Sequence, residues 1–372
     1  MNYNVKVCPK CILYGRQIRH YRVLNETNNC ATFTKRNRMK QLVILLPNGA
    51  TTLGSLILTV EVIQKANEYF IEKGKKPVFK IVLVGDAKTN AISSGSFLIQ
   101  QDKSIEEAKE ADLIIVPALG DNIEKAIKLN KRLIDWVIMQ YKEGVEVASL
   151  CTGAFILASA GLLNGKQCST HWSAAPIFRN MFPEVNLTIE KIITEDHGIY
   201  TTGGALSSMN LVLHLVEKYY NRETAIHCAK IFEVDLDRNN QLGFIIFSGQ
   251  KNHDDDQIRK AQLFIENNVG DKIIVEKLSS KFSIDRRNFD RRFKKATGNS
   301  PLEYMQRVKI EAAKKSLETS RKTVNEVMYQ VGYSDLRAFR EVFKKITGMS
   351  PIEYRAKYNK EAAGQFIGFN KT

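Results

Sequence analysis

Several things are missing from this sequence. No run of about 18 apolar residues occurs anywhere in its 372 residues, so no helix is expected to span a membrane. The first residues lack the apolar core of a secretory leader. The six cysteines, at 8, 11, 30, 151, 168 and 228, lack the regular spacing of a disulfide framework. Free thiols in a reducing, cytoplasmic setting are therefore expected. Acidic side chains are nearly absent from residues 1–38, which hold one against eight lysines and arginines. Residues 39–250 are balanced, with 23 acids against 21 bases, whereas residues 251–372 carry 26 bases against 16 acids. The net charge of +15 thus lies on the two ends. A basic C-terminal region beside a near-neutral middle is the pattern expected of a module that contacts phosphates.

That basic region contains one passage twice. Phe289-Asp-Arg-Arg-Phe-Lys-Lys-Ala-Thr-Gly-Asn-Ser-Pro-Leu-Glu-Tyr304 returns 50 residues later as Phe339-Arg-Glu-Val-Phe-Lys-Lys-Ile-Thr-Gly-Met-Ser-Pro-Ile-Glu-Tyr354, with 10 of 16 positions identical. Such self-similarity predicts two copies of one supersecondary unit. In each copy two phenylalanines four apart share a helix face, and a Lys-Lys pair precedes the glycine that ends the helix. Ser-Pro then opens the next helix.

A shorter helix precedes each repeat. Thr323-Val-Asn-Glu326 is a capping box, with Val324, Val327, Met328 and Val331 as its buried stripe. Gly332 makes the turn, and Ser334 or Asp335 caps the helix carrying Phe339. In the first copy Val275, Leu278 and Phe282 form the stripe, Ser283 occupies the turn and Asp285 the cap. Short helix, tight turn and arginine-bearing second helix make a helix-turn-helix. The outward residues differ between the copies, as two readers of different bases would require. For a single basic helix a solvated charged face would be the favoured explanation of the arginines; the doubled motif favours DNA.

Over its whole length this region resembles the AraC/XylS family of DNA-binding domains, above all at Gly-Tyr-Ser-Asp over 332–335 and Thr-Gly-Met-Ser-Pro-Ile-Glu-Tyr over 347–354. The resemblance implies seven helices, with a long one from about Leu302 to Leu317 joining the two motifs. It also implies that Arg287 and Arg337 point at bases, with Arg286, Asp290, Arg291 and Arg340 beside them. Ser283 departs from the family, which usually has glycine there.

Upstream, strands and helices alternate. Gln41–Leu46, Phe79–Gly85, Leu113–Pro117 and Val145–Leu150 read as buried strands, and Leu56–Phe70 and Ile123–Tyr141 as helices. Ile189–Ile193 and Ile199–Thr202 read as paired strands around a turn at Glu195–Gly198, followed by a helix over Ala205–Tyr220. The expected architecture is a parallel sheet covered by helices on both faces, with its site at the carboxyl ends of the strands. One such end is Ser-Leu-Cys151-Thr-Gly-Ala-Phe, where a strand stops and a helix starts within three residues. This layout places a thiol in a nucleophile elbow, at the end of a helix that favours thiolate. Ser169-Thr170-His171-Trp172 supplies a candidate partner. Taken alone, Cys151 would read as an ordinary core cysteine. His214 and His227 read as structural. The pair Cys8 and Cys11, with His20 and Cys30, matches no zinc module in spacing, so no metal or other cofactor is expected.

Leu-Pro-Asn-Gly at 46–49, Cys-Thr-Gly-Ala-Phe at 151–155, Gly-Leu-Leu-Asn-Gly at 161–165, Thr-His-Trp at 170–172 and Thr-Thr-Gly-Gly at 201–204 resemble the DJ-1/PfpI class of glutamine-amidotransferase-like domains. The likeness covers nearly all of 39–235 and implies a flavodoxin-like α/β fold, with Cys151 and His171 on the family's cysteine and histidine. Joined to an AraC-type module, it is similar to the GlxA/FtrA-like regulators. The enzymes of the class carry a carboxylate in the loop after the first strand. Here that place falls on Gly54, so general acid–base turnover is not expected. Glu61, on the following helix, could substitute for it.

The expected organisation is a basic extension over 1–38, an α/β sensor and dimerisation domain over 39–248 and a linker over 249–256. An all-α domain with two helix-turn-helix motifs follows over 257–356, and then a tail over 357–372. The expected function is a promoter-binding transcription regulator, an activator, acting as a homodimer with RNA polymerase. A small-molecule effector would bind at Cys151, Thr152, His171 and Gly54. The alternatives are a cysteine-dependent amidase or glyoxalase-like enzyme, and a thiol redox sensor, fused to the DNA-binding module.

Overall fold

The computed structural model describes residues 38–86, 91–94, 97–120, 122–204, 206–238 and 240–359. Cys8, Cys11, His20 and Cys30, whose spacing fits no zinc module, lie outside these residues. From Lys40 onward the described residues belong to one compact unit.

The chain begins with β1 (Lys40–Leu46), α1 (Leu53–Glu72), β2 (Phe79–Gly85), the hairpin of β3 (Ala91–Ser94) and β4 (Phe97–Gln100), and β5 (Lys103–Ser104). It continues through β6 (Leu113–Val116), α2 (Ile123–Leu129), α3 (Lys131–Lys142), β7 (Glu146–Ser149), α4 (Ala154–Ser159), β8 (Gln167–Cys168), α5 (Ala175–Met181) and β9 (Asn186–Leu187). β10 (Ile193–Asp196), β11 (Ile199–Thr202), α6 (Ser207–Tyr219) and α7 (Arg222–Ile231) complete the first domain. Its main sheet runs β10-β11-β7-β6-β1-β2-β5, parallel except where β10 meets β11. The order β2-β1-β6-β7-β11 is that of a flavodoxin-like sheet.

Alternation along β1 explains the two layers. Leu42, Ile44 and Leu46 face α1, α6 and α7, while Val43 and Leu45 face the helices α2 to α5. All five are at most 1% exposed, because a parallel sheet covered on both faces has no wet side.

Two expectations require correction. The run Ile123–Tyr141 is two helices rather than one, broken at Asn130. The fully buried Asn130 carboxamide accepts from the Asn48 N–H at 2.6 Å and donates to the Asn48 carbonyl at 2.9 Å. This tie to the loop after β1 competes with helix continuation. The strand placed over Ile189–Ile193 is instead Ile193–Asp196. His197 (φ 48°) and Gly198 (φ 76°) form a two-residue turn that puts Asp196 opposite Ile199, and this tight turn sets the register.

The described residues of the C-terminal region form seven helices: α8 (Asp256–Asn267), α9 (Val275–Lys281), α10 (Arg286–Thr297), α11 (Pro301–Thr319), α12 (Val324–Gln330), α13 (Leu336–Thr347) and α14 (Pro351–Tyr358). Phe289, Phe293 and Tyr304 pack one small core, and Phe339, Phe343 and Tyr354 pack its twin. α11 contributes to both cores, with Tyr304, Met305 and Val308 in the first and Ile310, Ala313 and Leu317 in the second. Among the described residues no helix is long and apolar enough to cross a membrane.

Candidate DNA-reading face and thiol pocket

The second helices of the two motifs, α10 and α13, are built alike. Asp285 accepts from the Asn288 N–H at 3.0 Å and Asp335 from the Ala338 N–H at 2.6 Å, so each caps its helix. Gly298 (φ 70°) and Gly348 (φ 77°) end them in the left-handed conformation. Ser283 takes that conformation too (φ 55°), in the turn where the second copy uses Gly332 (φ 73°). With the phenylalanines fully buried, the opposite face of each helix is presented to solvent.

The six polar residues expected on that face are differently engaged. Arg287 and Arg340 are exposed and have no hydrogen-bonding or ionic partner among the described residues. The Arg337 side chain is 89% exposed and lies 3.0 Å from Glu341. Arg291 donates to Asn288 at 2.8 Å. Arg286 is held by two carboxylates, Glu276 at 3.2 Å and Asp290 one turn on. Much of the charge of Arg286, and the carboxylate of Asp290, is therefore matched within the protein.

One side chain not anticipated from the sequence joins the two motifs. Lys309, midway along α11, donates to the carbonyls of Val269 at 2.7 Å, Asp271 at 3.0 Å and Val331 at 2.8 Å. The first two lie between α8 and α9, and the third ends α12. All three ammonium protons are thus used. Lysine spacing alone carries no signal of this role.

In the first domain Cys151 follows β7 at φ 55°, a strained conformation for a non-glycine residue and the signature of an elbow. Gly153 is required there, because a β-carbon would come within 2.5 Å of the Val116 carbonyl and 2.7 Å of that of Pro117. Thr152 donates to the Leu119 carbonyl at 2.8 Å, and Thr170 to the Cys151 carbonyl at 2.9 Å. Cys151 is 8% exposed. Cys168 is fully buried and its thiol is pushed up to about 12 by desolvation, which makes it an inert core residue.

His171 has its Nδ1 committed. It accepts from the Ser173 N–H at 3.1 Å, with the Ser173 hydroxyl 2.7 Å away. Burial lowers its pKa and favours the neutral ring. A neutral ring accepting at Nδ1 carries its proton on Nε2. The Cδ2–Nε2 edge lies against Gly204, where a β-carbon would come within 1.9 Å of Cδ2. Behind Gly204 stands Gln241, 1% exposed, whose amide donates to the Thr170 carbonyl at 3.0 Å and whose oxygen accepts from the Gly204 N–H at 3.5 Å. Gln241 was invisible to motif reading, since it lies some 70 residues after the histidine in an irregular stretch.

Gly54 is exposed near the start of α1, with nothing within 4 Å of where a β-carbon would stand. Glu61 is exposed two turns further along α1. Two open hollows among the described residues, of about 400 and 570 Å³, line α3 and α7 and include neither Cys151 nor His171. No group of three or more histidine, cysteine or acidic side chains suited to hold a metal ion occurs among the described residues.

Residues 278–357 match a helix-turn-helix domain family, and residues 44–218 match the DJ-1/PfpI family. The chain is a DNA-binding regulator that joins a DJ-1/PfpI domain to an AraC-type helix-turn-helix domain. It is 25% identical over 303 residues to the HTH-type transcriptional regulator GbdR of Pseudomonas aeruginosa, covering 80% of this chain and 79% of that one. It is 22% identical over 294 residues to the regulator CdhR of the same organism, covering 78% and 83%. The first domain alone is also similar to an enzyme, the isonitrile hydratase of Pseudomonas putida, with 25% identity over 150 residues, covering 40% of this chain and 63% of that protein.

Proposed function

We propose that this DJ-1/PfpI–AraC-type regulator reads a specific promoter sequence with α10 and α13 and controls transcription in response to a small molecule bound beside Cys151 and His171. The observation that carries the reading is the pair of twin-capped helices whose exposed faces differ in sequence. Among the described residues Arg287 and Arg340 are matched by no carboxylate, so they are available to base edges or phosphates. In this reading the protein is cytoplasmic and works as a homodimer with RNA polymerase, so that two such pairs meet the promoter.

The pocket reads as a sensor rather than a catalytic centre. Neutral His171 accepts at Nδ1 and carries a proton on Nε2, which leaves no lone pair to take the proton of a thiol. The position expected to hold a carboxylate is Gly54, whose surroundings are open. An Nε2–H group suits a hydrogen-bond acceptor on a ligand. The redox reading remains the second one, because Cys151 occupies an elbow where oxidation would alter a strained backbone.

The decisive experiment selects duplexes from random sequence with the full chain and measures competition by non-specific DNA at several salt concentrations. A sequence preference, with affinity falling steeply as salt rises, is the expected result. No preference for any duplex would overturn the reading. For the pocket, a Cys151→Ala variant that retains a normal transcriptional response would exclude both thiol chemistry and thiol oxidation.

A further inference from the structure

The His171 ring and the second helix of the second motif, α13, are joined by a short strap with almost no slack. Gln241 packs its carboxamide against Gly203, where a β-carbon would meet three of its atoms at 2.8 Å, and it brackets His171 through the Thr170 carbonyl and the Gly204 N–H. Its chain neighbours turn the other way. Asn240 Oδ1 would lie 3.0 Å, and Leu242 Cβ 3.4 Å, from a β-carbon on Gly348, the residue that ends α13. Gly243 abuts Met349, whose Cε would stand 2.7 Å from a β-carbon there, and its carbonyl accepts from the Tyr358 hydroxyl at 3.1 Å. Glycines at 203, 204 and 243 therefore mark close approach along the strap, and its other side rests on Gly348, the left-handed residue that ends α13. Beyond the strap, Lys314, only 3% exposed, donates to the Ile245 carbonyl at 2.6 Å and continues the same attachment onto α11.

We propose that Gln241 is a positioning residue that couples the His171 pocket to the second helix-turn-helix, so that the state of the pocket and the seating of α13 are mutually dependent. Close-packed contacts transmit displacement because they cannot absorb it. A ligand that moves the His171 edge must move Gly204 or Gln241, and Gln241 cannot shift without carrying Asn240 and Leu242 against Gly348. The coupling is reciprocal: whatever the pocket does to DNA affinity, DNA must do to the pocket. This proposal rests on the DNA-binding reading above and says which of the two motifs receives the signal.

Reciprocity allows a test without knowing the ligand. The rate of iodoacetamide alkylation at Cys151 is measured by mass spectrometry of its peptide, with and without a saturating duplex selected by the wild-type chain. Bound duplex is expected to change the rate at least threefold in the wild type and to leave it unchanged in Gln241→Ala, provided that variant still binds the duplex. Gly243→Ala, which drives a methyl at Met349, should uncouple the sites in the same way, and Gly243→Ala with Met349→Ala should restore the response. This double variant distinguishes coupling from a general loss of fold. A wild-type rate indifferent to bound duplex, or an equal response in Gln241→Ala, overturns the proposal. Failure to select any duplex would instead overturn the DNA-binding reading, and the coupling with it.

Discussion

Asp255 holds the Arg292 guanidinium by two hydrogen bonds, 2.8 Å from Nε and 2.6 Å from Nη2, and so fastens the start of α8 to the first reading helix. It also caps α8, accepting from the Ile258 N–H at 3.2 Å. Arg292 is thus a structural arginine, unlike its neighbours Arg287 and Arg291. The Arg292 side chain lowers the Asp255 pKa below its ordinary value. A depressed carboxylate contributes its stability in full above the unfolded value of about 3.9 and loses it as pH falls through the folded one. Asp255→Asn should therefore destabilise the chain by about 1–3 kcal/mol at pH 7 in urea unfolding, with the gap closing below about pH 4. A gap that persists undiminished at pH 3 would show that the charge is not responsible.

Lys309 offers a second test. Replacing it with methionine removes the donor shared by Val269, Asp271 and Val331, at a cost of about 1–3 kcal/mol. Because those carbonyls belong to both motifs, the variant should also tolerate a one-base-pair change in the distance between half-sites better than the wild type does. Anisotropy titrations on spacer variants of a selected duplex would measure this. Unaltered spacing preference would mean that α11 alone sets the separation.

The two turns make opposite predictions for glycine. Ser283 sits at φ 55°, which disfavours a side chain, so Ser283→Gly should raise stability by up to about 1 kcal/mol. Gly332→Ala should destabilise by more than that, since its β-carbon would come within 2.3 Å of the Gly270 carbonyl as well as adopting φ 73°. Thermal melts of the two variants check the pair.

Arg286 and Arg287 are adjacent yet should behave differently on DNA. Arg287→Ala is expected to cost about 1–3 kcal/mol in binding and to relax preference within one half-site. Arg286→Ala should cost less, because Glu276 and Asp290 already match its charge. Arg337→Ala should relax the other half-site. Uniform weakening across all sequences would assign these arginines to phosphates.

Much of this was legible before any coordinates. The repeat at an offset of 50 residues implied twin motifs, and the capping box Thr323–Glu326, the Phe pairs and the Gly-x-Ser-Pro ends marked their helices where the structure has them. Those signals are local, because caps and helix faces depend on residues three and four apart. The break at Asn130 and the register of β10 were not legible, since each is decided by a partner or a turn that competes with apolar periodicity. Gln241 and Lys309 escaped for a stronger reason: nothing near them in the chain states what they hold.

Sequence by itself determined the two domain types, the doubled helix-turn-helix and the cysteine elbow. Each of these is written in short-range patterns of residue type. Tertiary structure alone decided which arginines are already neutralised, which nitrogen of His171 is occupied, and that Gln241 stands between His171 and α13. These depend on contacts between residues far apart in the chain, and only folding brings such atoms within hydrogen-bonding or van der Waals reach.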